Sequence, residues 1–95
     1  MSWTLWVLDL QTGREDRYAF GPGVFGSETP FAPRVGATAE DDGYLVTFTT
    51  DVGRDCSECL VFDAEDITQG PIARVRLPEK ISSGTHACWA PLADL

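Results

Sequence analysis

The sequence predicts an all-β fold, an antiparallel meander of five to seven short strands. Runs of alternating side chains with high β-propensity recur along the chain, and turns containing Gly or Pro separate them. No stretch has the apolar spacing of a helix of three turns or more. The 95 residues are expected to form one small domain with a modest core, because a chain of this length buries only about two thirds of its unfolded surface.

The other strands are expected to be arranged around a hairpin within residues 40–63. Residues 44–50 and 59–62 are rich in β-branched and aromatic side chains, and the turn-forming segment 51–55 separates them. Both faces of residues 44–50 carry bulky side chains, because alternate residues of a strand face opposite sides. The hairpin therefore needs neighbours on both faces, since an isolated hairpin is only marginally stable in water.

A second hairpin is predicted at the amino terminus. Residues 3–8 alternate as a strand buried on both sides, residues 9–13 supply a turn that ends in Gly, and residues 15–20 form the return strand. Residues 21–42 follow, and their Gly and Pro residues predict a long ordered crossover with at most one short strand. Long loops of this kind are often functional.

The carboxy-terminal third continues the pattern of short elements. Residues 63–70 contain a capping residue, a short helical turn and a closing Gly. Pro71 leads into a predicted strand over residues 72–77, and residues 81–89 are expected to form a loop that feeds a last short strand. The order is strand, helical turn, strand.

Charge and cysteine content narrow the classes of function. Seven basic residues against fifteen acidic ones give a formal charge of -8, which predicts no binding to nucleic acid. The amino terminus lacks the basic region and cleavage site of a signal peptide, and no apolar run reaches the roughly twenty residues that cross a bilayer. Three cysteines without a repeating framework favour a reducing compartment, so a cytoplasmic location is expected.

Several short motifs occur in an order and spacing that resemble the carboxy-terminal part of the carotenoid cleavage oxygenases. They are residues 9–13 (DLQTG), 20–23 (FGPG), 27–31 (SETPF), 33–34 (PR), 40–45 (EDDGYL), 62–66 (FDAED), 70–78 (GPIARVRLP) and 84–89 (GTHACW). Each motif alone is weak, whereas the series covers nearly the whole chain. The family includes carotenoid- and apocarotenoid-cleaving dioxygenases, stilbene-cleaving enzymes and the retinoid isomerase of the eye.

The resemblance implies a fold larger than this chain. Family members share a seven-bladed β-propeller whose axis holds Fe(2+) bound by four histidines, with glutamates behind some of them. The chain resembles about one blade plus part of its neighbour, with strands of the preceding blade in residues 2–20, the crossover loop in 21–42, and the last blade with the iron-ligand loop in 43–95. Met1 falls in the middle of the family pattern, so these residues are expected to be inactive alone.

Two residues match functional positions of the family. His86, the only histidine, lies in the GTHACW motif where family members place the last iron ligand, and neutral imidazole suits Fe(2+). Glu28 matches a glutamate that accepts the Nδ1 proton of a liganding histidine and so fixes its tautomer and ring orientation. Without the resemblance, His86 would be interpreted as structural or exposed, and Glu28 as a solvated loop acid.

Two other groups have both a structural and a chemical interpretation, whereas a set of aromatic residues has a structural one only. Glu40, Asp41 and Asp42 could bind calcium or act as a general acid/base cluster, but consecutive carboxylates point in different directions and the Gly after them favours a solvated turn. Cys56 and Cys59 could bind zinc together with His86 and Cys88 or form a redox motif. Residues three apart on a strand face opposite sides of the sheet, however, and a thioredoxin-type motif would need to begin a helix. The aromatic side chains of Trp3, Trp6, Phe48 and Phe62 are expected to pack between blades.

The resemblance predicts the carboxy-terminal segment of an iron(II) dioxygenase that cleaves a conjugated C=C bond of a carotenoid, apocarotenoid or stilbene-type substrate. Its partners would be that apolar substrate and O2, and the full-length protein could contact a membrane peripherally. The alternative is a non-catalytic β module that self-associates or binds a protein partner through exposed edges and apolar faces. A third, weaker hypothesis is the small zinc protein.

Overall fold

Seven strands and one short helix form the described part of the chain. This computed structural model describes residues 2–8, 10, 12–39, 41–80 and 90. The elements in chain order are β1 (Ser2–Leu8), β2 (Glu15–Pro22), β3 (Val24–Gly26), β4 (Phe31–Pro33), β5 (Gly43–Asp51), β6 (Cys56–Asp63), a 3-10 helix (Ile67–Gln69) and β7 (Ala73–Arg76). The predicted loop and strand over residues 81–89 lie outside the described residues, and so does His86.

The central hairpin is confirmed, with longer strands than predicted. β5 and β6 pair antiparallel from Tyr44 opposite Asp63 to Asp51 opposite Cys56. The turn is therefore residues 52–55, one residue shorter than expected, because Asp51 still belongs to the ladder. The Asp51 carboxylate accepts a hydrogen bond from the Arg54 amide at 3.0 Å, which closes the turn.

Four strand positions lie side by side in the larger sheet. β3 and β4 both pair antiparallel with β5, β6 pairs with the other side of β5, and β7 pairs with β6. β3 pairs with one end of β5 and β4 with the other, so together they act as one interrupted strand along an edge. This arrangement confirms the predicted all-β antiparallel class.

The prediction of at most one strand in residues 21–42 is wrong. That segment contains β3 and β4, and β2 also continues through Pro22. Each short strand has only three residues and lies next to Gly or Pro, so neither has the alternating run by which a strand is recognised in sequence. Pro33 is tolerated because it lies in an edge strand, where one side needs no ladder donor.

The core lies between the larger sheet and the β1–β2 hairpin. Phe62 and Ile67 are 0% exposed and Leu60 is 2% exposed. Five partly buried side chains pack against them, namely Leu5, Val7, Tyr18, Phe20 and Leu45. We call the side of the larger sheet that carries Leu45, Leu60 and Phe62 the covered face.

The expectation that β1 is buried on both sides is wrong for the described residues. Leu5 and Val7 pack against the core, whereas Trp6 and Leu8 are 55% and 56% exposed. Trp6 instead contacts the guanidinium of Arg17, whose Cζ lies 4.4 Å from the ring centroid. The alternation predicts a strand with bulky side chains on both faces, but it does not show whether another layer of the fold covers each face.

The four aromatic residues expected to pack between blades differ in burial. Phe62 is fully buried, and its ring lies 5.2 Å from that of Tyr18. Trp3 packs edge-on against Phe25 at 5.9 Å but remains 43% exposed, and Phe48 is 38% exposed. Within the described residues, only Phe62 is buried as expected.

The predicted helical turn and its cap are present. Asp66 accepts a hydrogen bond from the Thr68 amide at 3.1 Å, and Gly70 ends the 3-10 helix with a φ of 86°. Glycine suits this position, since a positive φ strains other residues. β7 covers residues 73–76 rather than the predicted 72–77. Among the described residues, no helix is long and apolar enough to span a membrane.

An ion pair between Asp55 and Lys80 gives a test of the fold at low pH. Lys80 Nζ lies 2.6 Å from Asp55 Oδ1, and this hydrogen bond together with the charge of Lys80 lowers the pKa of Asp55. Because the folded pKa is the lower one, the pair stabilises the folded chain above the unfolded pKa of about 4, and this contribution is lost as the pH falls through the folded pKa.

We therefore expect Asp55→Asn to lower the free energy of unfolding slightly at pH 7 and to leave it unchanged near pH 2. Asn tolerates the left-handed conformation of Asp55, whose φ is 54°, so the turn should persist. Urea unfolding at the two pH values would measure this difference. Glu65→Gln is a control on an exposed carboxylate. A difference between parent and Asp55→Asn that does not shrink at low pH would contradict the prediction.

Candidate support site at the sheet edge

The sheet edge beside β5 contains a β-bulge at Glu28. Gly26 is opposite Thr49, whereas Phe31 is opposite Leu45, so residues 27–30 lie opposite only residues 46–48. Hydrogen bonds from Ser27 N to Phe48 O (2.8 Å) and from Val46 N to Pro30 O (3.1 Å) flank the irregularity. The two residues 28 and 29 therefore lie opposite Thr47 alone. Bulges are frequent beside active sites, where they redirect a side chain.

The hydroxyl of Ser27 takes part in the ladder. The Phe48 amide donates to Ser27 Oγ at 3.2 Å, and the same hydroxyl donates to the carbonyl of Glu28 at 3.0 Å. In a regular antiparallel pair that amide would face the carbonyl of Ser27. Here the Ser27 carbonyl accepts from Thr47 Oγ1 at 3.4 Å and from Thr29 Oγ1 at 3.5 Å.

Glu28 is an exposed residue within this bulge. His86 lies outside the described residues, so its geometry relative to Glu28 is not described. The roles predicted for Glu28 and His86 stay predictions.

The turn that joins β4 to β5 is held by Arg34. Its Nε donates to Asp42 Oδ1 at 2.8 Å, and its NH1 donates to the hydroxyl of Tyr44 at 3.0 Å. The hydrogen bond to Asp42 raises the pKa of Arg34, and the nearby Tyr44 adds to this. Asp42 is thus bound to a side chain of the same turn. Glu40 lies outside the described residues.

The two described cysteines lie on opposite faces of β6. Cys56 is opposite Asp51 and is buried, whereas Cys59 is opposite Phe48 and is partly exposed. Burial raises the pKa of the Cys59 thiol, which disfavours the thiolate that binds metals. Within the described ranges no group of three or more His, Cys, Asp or Glu side chains could hold a metal. Cys88 lies outside those ranges.

A cleft of about 180 Å³ lies between the β1–β2 hairpin and the covered face of the larger sheet. Its charged groups are two pairs, Arg74 with Glu58 at 3.0 Å and Arg54 with Asp51 at 3.8 Å. Each charge has an opposite neighbour, so the cleft presents no net charge to a ligand. It does not include Glu28.

Sequence reasoning missed Ser27 and Thr47 as supports of Glu28. The one available signal was Thr47 itself, a polar residue on the same side of β5 as Leu45. A threonine there requires a hydrogen-bond partner if it is buried. The identity of that partner depends on the register of β3, which the sequence pattern did not reveal.

Comparison with known proteins identifies relatives over nearly the whole chain. The family model RPE65, retinal pigment epithelial membrane protein, matches residues 2–91. Lignostilbene-alpha,beta-dioxygenase isozyme III of Sphingomonas paucimobilis is 37% identical over 87 residues, which are 92% of this chain and 18% of that enzyme.

Solved structures agree with the sequence relatives. The lignostilbene dioxygenase of Pseudomonas brassicacearum superposes with a TM-score of 0.86 at 38% identity, covering 93% of this chain and 18% of that one. Cobalt-substituted Synechocystis apocarotenoid oxygenase gives 0.85 at 37% identity, covering 92% and 18%. The chain thus spans 18% of the length of these relatives. By its sequence and its fold, the chain belongs to the carotenoid cleavage oxygenase family.

Proposed function

We propose that this chain supplies the carboxy-terminal part, a last blade and part of its neighbour, of a non-haem iron(II) dioxygenase. The substrate class is a carotenoid, an apocarotenoid or a stilbene-type compound, and the reaction is cleavage of a conjugated C=C bond with O2. The observation that carries the proposal is 37% identity to a lignostilbene dioxygenase over 92% of the chain.

This chain can contribute one of the four histidines that bind iron in the family's metal centre. The sequence has a single histidine, so three further histidines must come from another part of a larger protein. His86 would bind the iron through neutral imidazole, and the bound iron would supply activation of O2. The chain alone is therefore expected to bind no iron tightly.

Glu28 would support one of the liganding histidines from behind. A carboxylate in this role accepts the Nδ1 proton, so that Nε2 faces the metal. Two features of the described residues support the assignment. Glu28 lies at an edge of the sheet, and the backbone around it is held by hydrogen bonds from Ser27 and Thr47.

A hybrid protein tests the function. The matched segment of the Pseudomonas brassicacearum lignostilbene dioxygenase would be replaced by this chain, and iron content and stilbene cleavage would be measured. We expect His86→Ala to remove both. Glu28→Gln should weaken iron binding about 10–100-fold, the range for outer partners of metal ligands. Glu65→Gln, an exposed carboxylate beyond β6, is the matched control.

Each result of the hybrid experiment has a defined consequence. A His86→Ala hybrid that retains iron and cleavage would exclude the ligand role of this histidine. A Glu28→Gln hybrid that behaves like the Glu65→Gln control would exclude the supporting role of Glu28. If the unsubstituted hybrid folds but does not bind iron, the chain does not supply the missing ligand.

A second candidate function is a non-catalytic β module that self-associates or binds a protein partner. Exposed apolar side chains on both layers favour it, with Trp6 55% and Val75 55% exposed. Such surfaces promote pairing with other chains. Sedimentation of the purified chain as a monodisperse monomer at high concentration would contradict it.

We also propose the partners and location that follow from the main function. The substrate would be apolar and conjugated, and nucleic acid would not bind because of the charge of -8. The protein would be cytoplasmic, and in its full-length form it could contact a membrane peripherally. Fractionation of cells into cytosol, membrane and secreted material would test the location. Recovery mainly in the secreted fraction would contradict it.

A further inference from the structure

We infer that Ser27 and Thr47 are positioning residues that hold the bulge carrying Glu28, and that they thereby set how long the metal centre retains its iron. The inference rests on the proposed function of Glu28 and adds two residues to it. Neither hydroxyl is assigned to the metal itself. Both act through the backbone on either side of Glu28.

The first step of the argument concerns the hydrogen bonds of Ser27. Its hydroxyl accepts from the Phe48 amide (3.2 Å) and donates to the carbonyl of Glu28 (3.0 Å). The same group therefore occupies a position in the ladder and fixes the peptide that follows Glu28. An alanine at position 27 would remove both bonds, and the Phe48 amide would have to find the backbone carbonyl or water.

The second step concerns the buried hydroxyl of Thr47. Thr47 is 0% exposed, and its Oγ1 donates to the carbonyl of Ser27 at 3.4 Å. A buried hydroxyl is costly unless it is hydrogen-bonded, so this bond compensates the burial. It also fixes the peptide that precedes Glu28. The peptides on both sides of Glu28 are thus tied to the sheet by side-chain hydroxyls.

The third step connects this backbone to the proposed metal support. A carboxylate can hold a histidine ring in one orientation only if its own backbone is fixed. A bulge interrupts the regular ladder, so this stretch lacks one of the bonds that fix a normal strand. Ser27 and Thr47 replace that missing restraint where Glu28 needs it.

The test measures the rate at which a chelator removes iron from the hybrid with the lignostilbene dioxygenase. Relative to the unsubstituted hybrid, we expect Ser27→Ala and Thr47→Val to release iron about 3–10-fold faster, less than the 10–100-fold effect of losing the supporting carboxylate. Ser27→Thr keeps the hydroxyl and should restore the parent rate within about 2-fold. The matched control is Thr50→Ala on β5, the strand that also carries Thr47. It removes a hydroxyl that is hydrogen-bonded to Ser57 of β6.

The outcomes separate this inference from the proposed function. If Ser27→Ala and Thr47→Val release iron at the parent rate while Glu28→Gln releases it faster, the inference fails and the function stands. If Glu28→Gln has the parent rate, the role of Glu28 itself fails. Thermal unfolding of each variant is measured in parallel. If Thr50→Ala, at an equal loss of stability, releases iron as fast as Thr47→Val, the effect is only structural and the inference fails.

A Ser27→Ala hybrid that does not fold leaves the decision to Thr47→Val. That substitution preserves the shape of the side chain and leaves the Ser27 hydroxyl in the ladder. Faster iron release with an unchanged unfolding midpoint would support the inference. A parent rate would overturn it.

Discussion

Replacement of Phe62 by Ala should lower the free energy of unfolding by about 3–5 kcal/mol, the usual range for a buried Phe truncated to Ala. Phe62 is 0% exposed, and its ring lies edge-on to those of Tyr18 at 5.2 Å and Phe20 at 6.3 Å. These two rings belong to β2, so Phe62 joins the hairpin to the larger sheet. Its removal would leave a cavity that neither layer can fill without moving.

Urea unfolding of the 95-residue chain would measure this effect. Phe48→Ala is the matched control, because Phe48 lies on the adjacent strand β5 and is 38% exposed. We expect the control to cost about 1 kcal/mol, since a half-exposed side chain buries less apolar surface. Equal losses for the two variants would contradict the assignment of the core to the face that carries Phe62.

Gly43→Ala should cost about 2–3 kcal/mol, as an added carbon in a packed site usually does. A Cβ at position 43 would collide with the carbonyl oxygen of Ala32. It would also lie 2.6 Å from Phe31 Cζ and 2.8 Å from Pro33 Cα. The Phe31 ring could rotate away, but the backbone atoms of β4 could not yield without separating from β5. We therefore expect loss of the β4–β5 pairing.

The control for Gly43→Ala is Gly53→Ala in the β5–β6 turn. The nearest atom to a Cβ at position 53 is Asp51 Oδ1 at 3.5 Å, an ordinary contact. Its cost should be within about 0.5 kcal/mol, as for most surface substitutions. Hydrogen exchange at the Val46 amide, which donates to Pro30 O at 3.1 Å, would report the pairing directly. Unchanged protection of this amide in Gly43→Ala would contradict the expected separation.

The sequence was sufficient for the hairpins and for the class of fold. Residues 44–50 alternate over a full strand length, so period and β-propensity agree. Asp66 and Gly70 marked the ends of the 3-10 helix because capping depends on local chemistry. Such signals are contained within a few consecutive residues, and the structure agrees with them.

Features that depend on distant partners were not predictable in this way. β3 and β4 are strands only because β5 offers each a row of hydrogen-bonding groups. The exposure of Trp6 depends on whether a further layer is present, and its alternation with Leu5 and Val7 does not contain that information. The local sequence pattern indicates whether a helix or a strand forms, whereas the burial of that element depends on the elements that pack against it.

The same distinction between local sequence signals and distant contacts applies to the candidate site. The roles of Glu28 and His86 are predictions from the motifs shared with a known family, not from the chemistry of the two residues. The hydrogen bonds of Ser27 and Thr47 could not be predicted, because they follow from a register that changes by one residue between β3 and β4. A serine before a glutamate in a Gly- and Pro-rich segment has no distinctive pattern.

The extra residue in the edge strand also constrains how this segment can change in length. Before it, the even-numbered Gly26 shares the covered face with Thr49, and after it the odd-numbered Phe31 shares that face with Leu45. A regular strand would place three residues between these two positions, so loss of one residue from 27–30 would remove the bulge and leave Phe31 on the covered face. Loss of two residues would leave only two between them, and a regular ladder would then turn Phe31 outward and Ala32 inward. Homologous segments that are shorter here should therefore lack one residue rather than two.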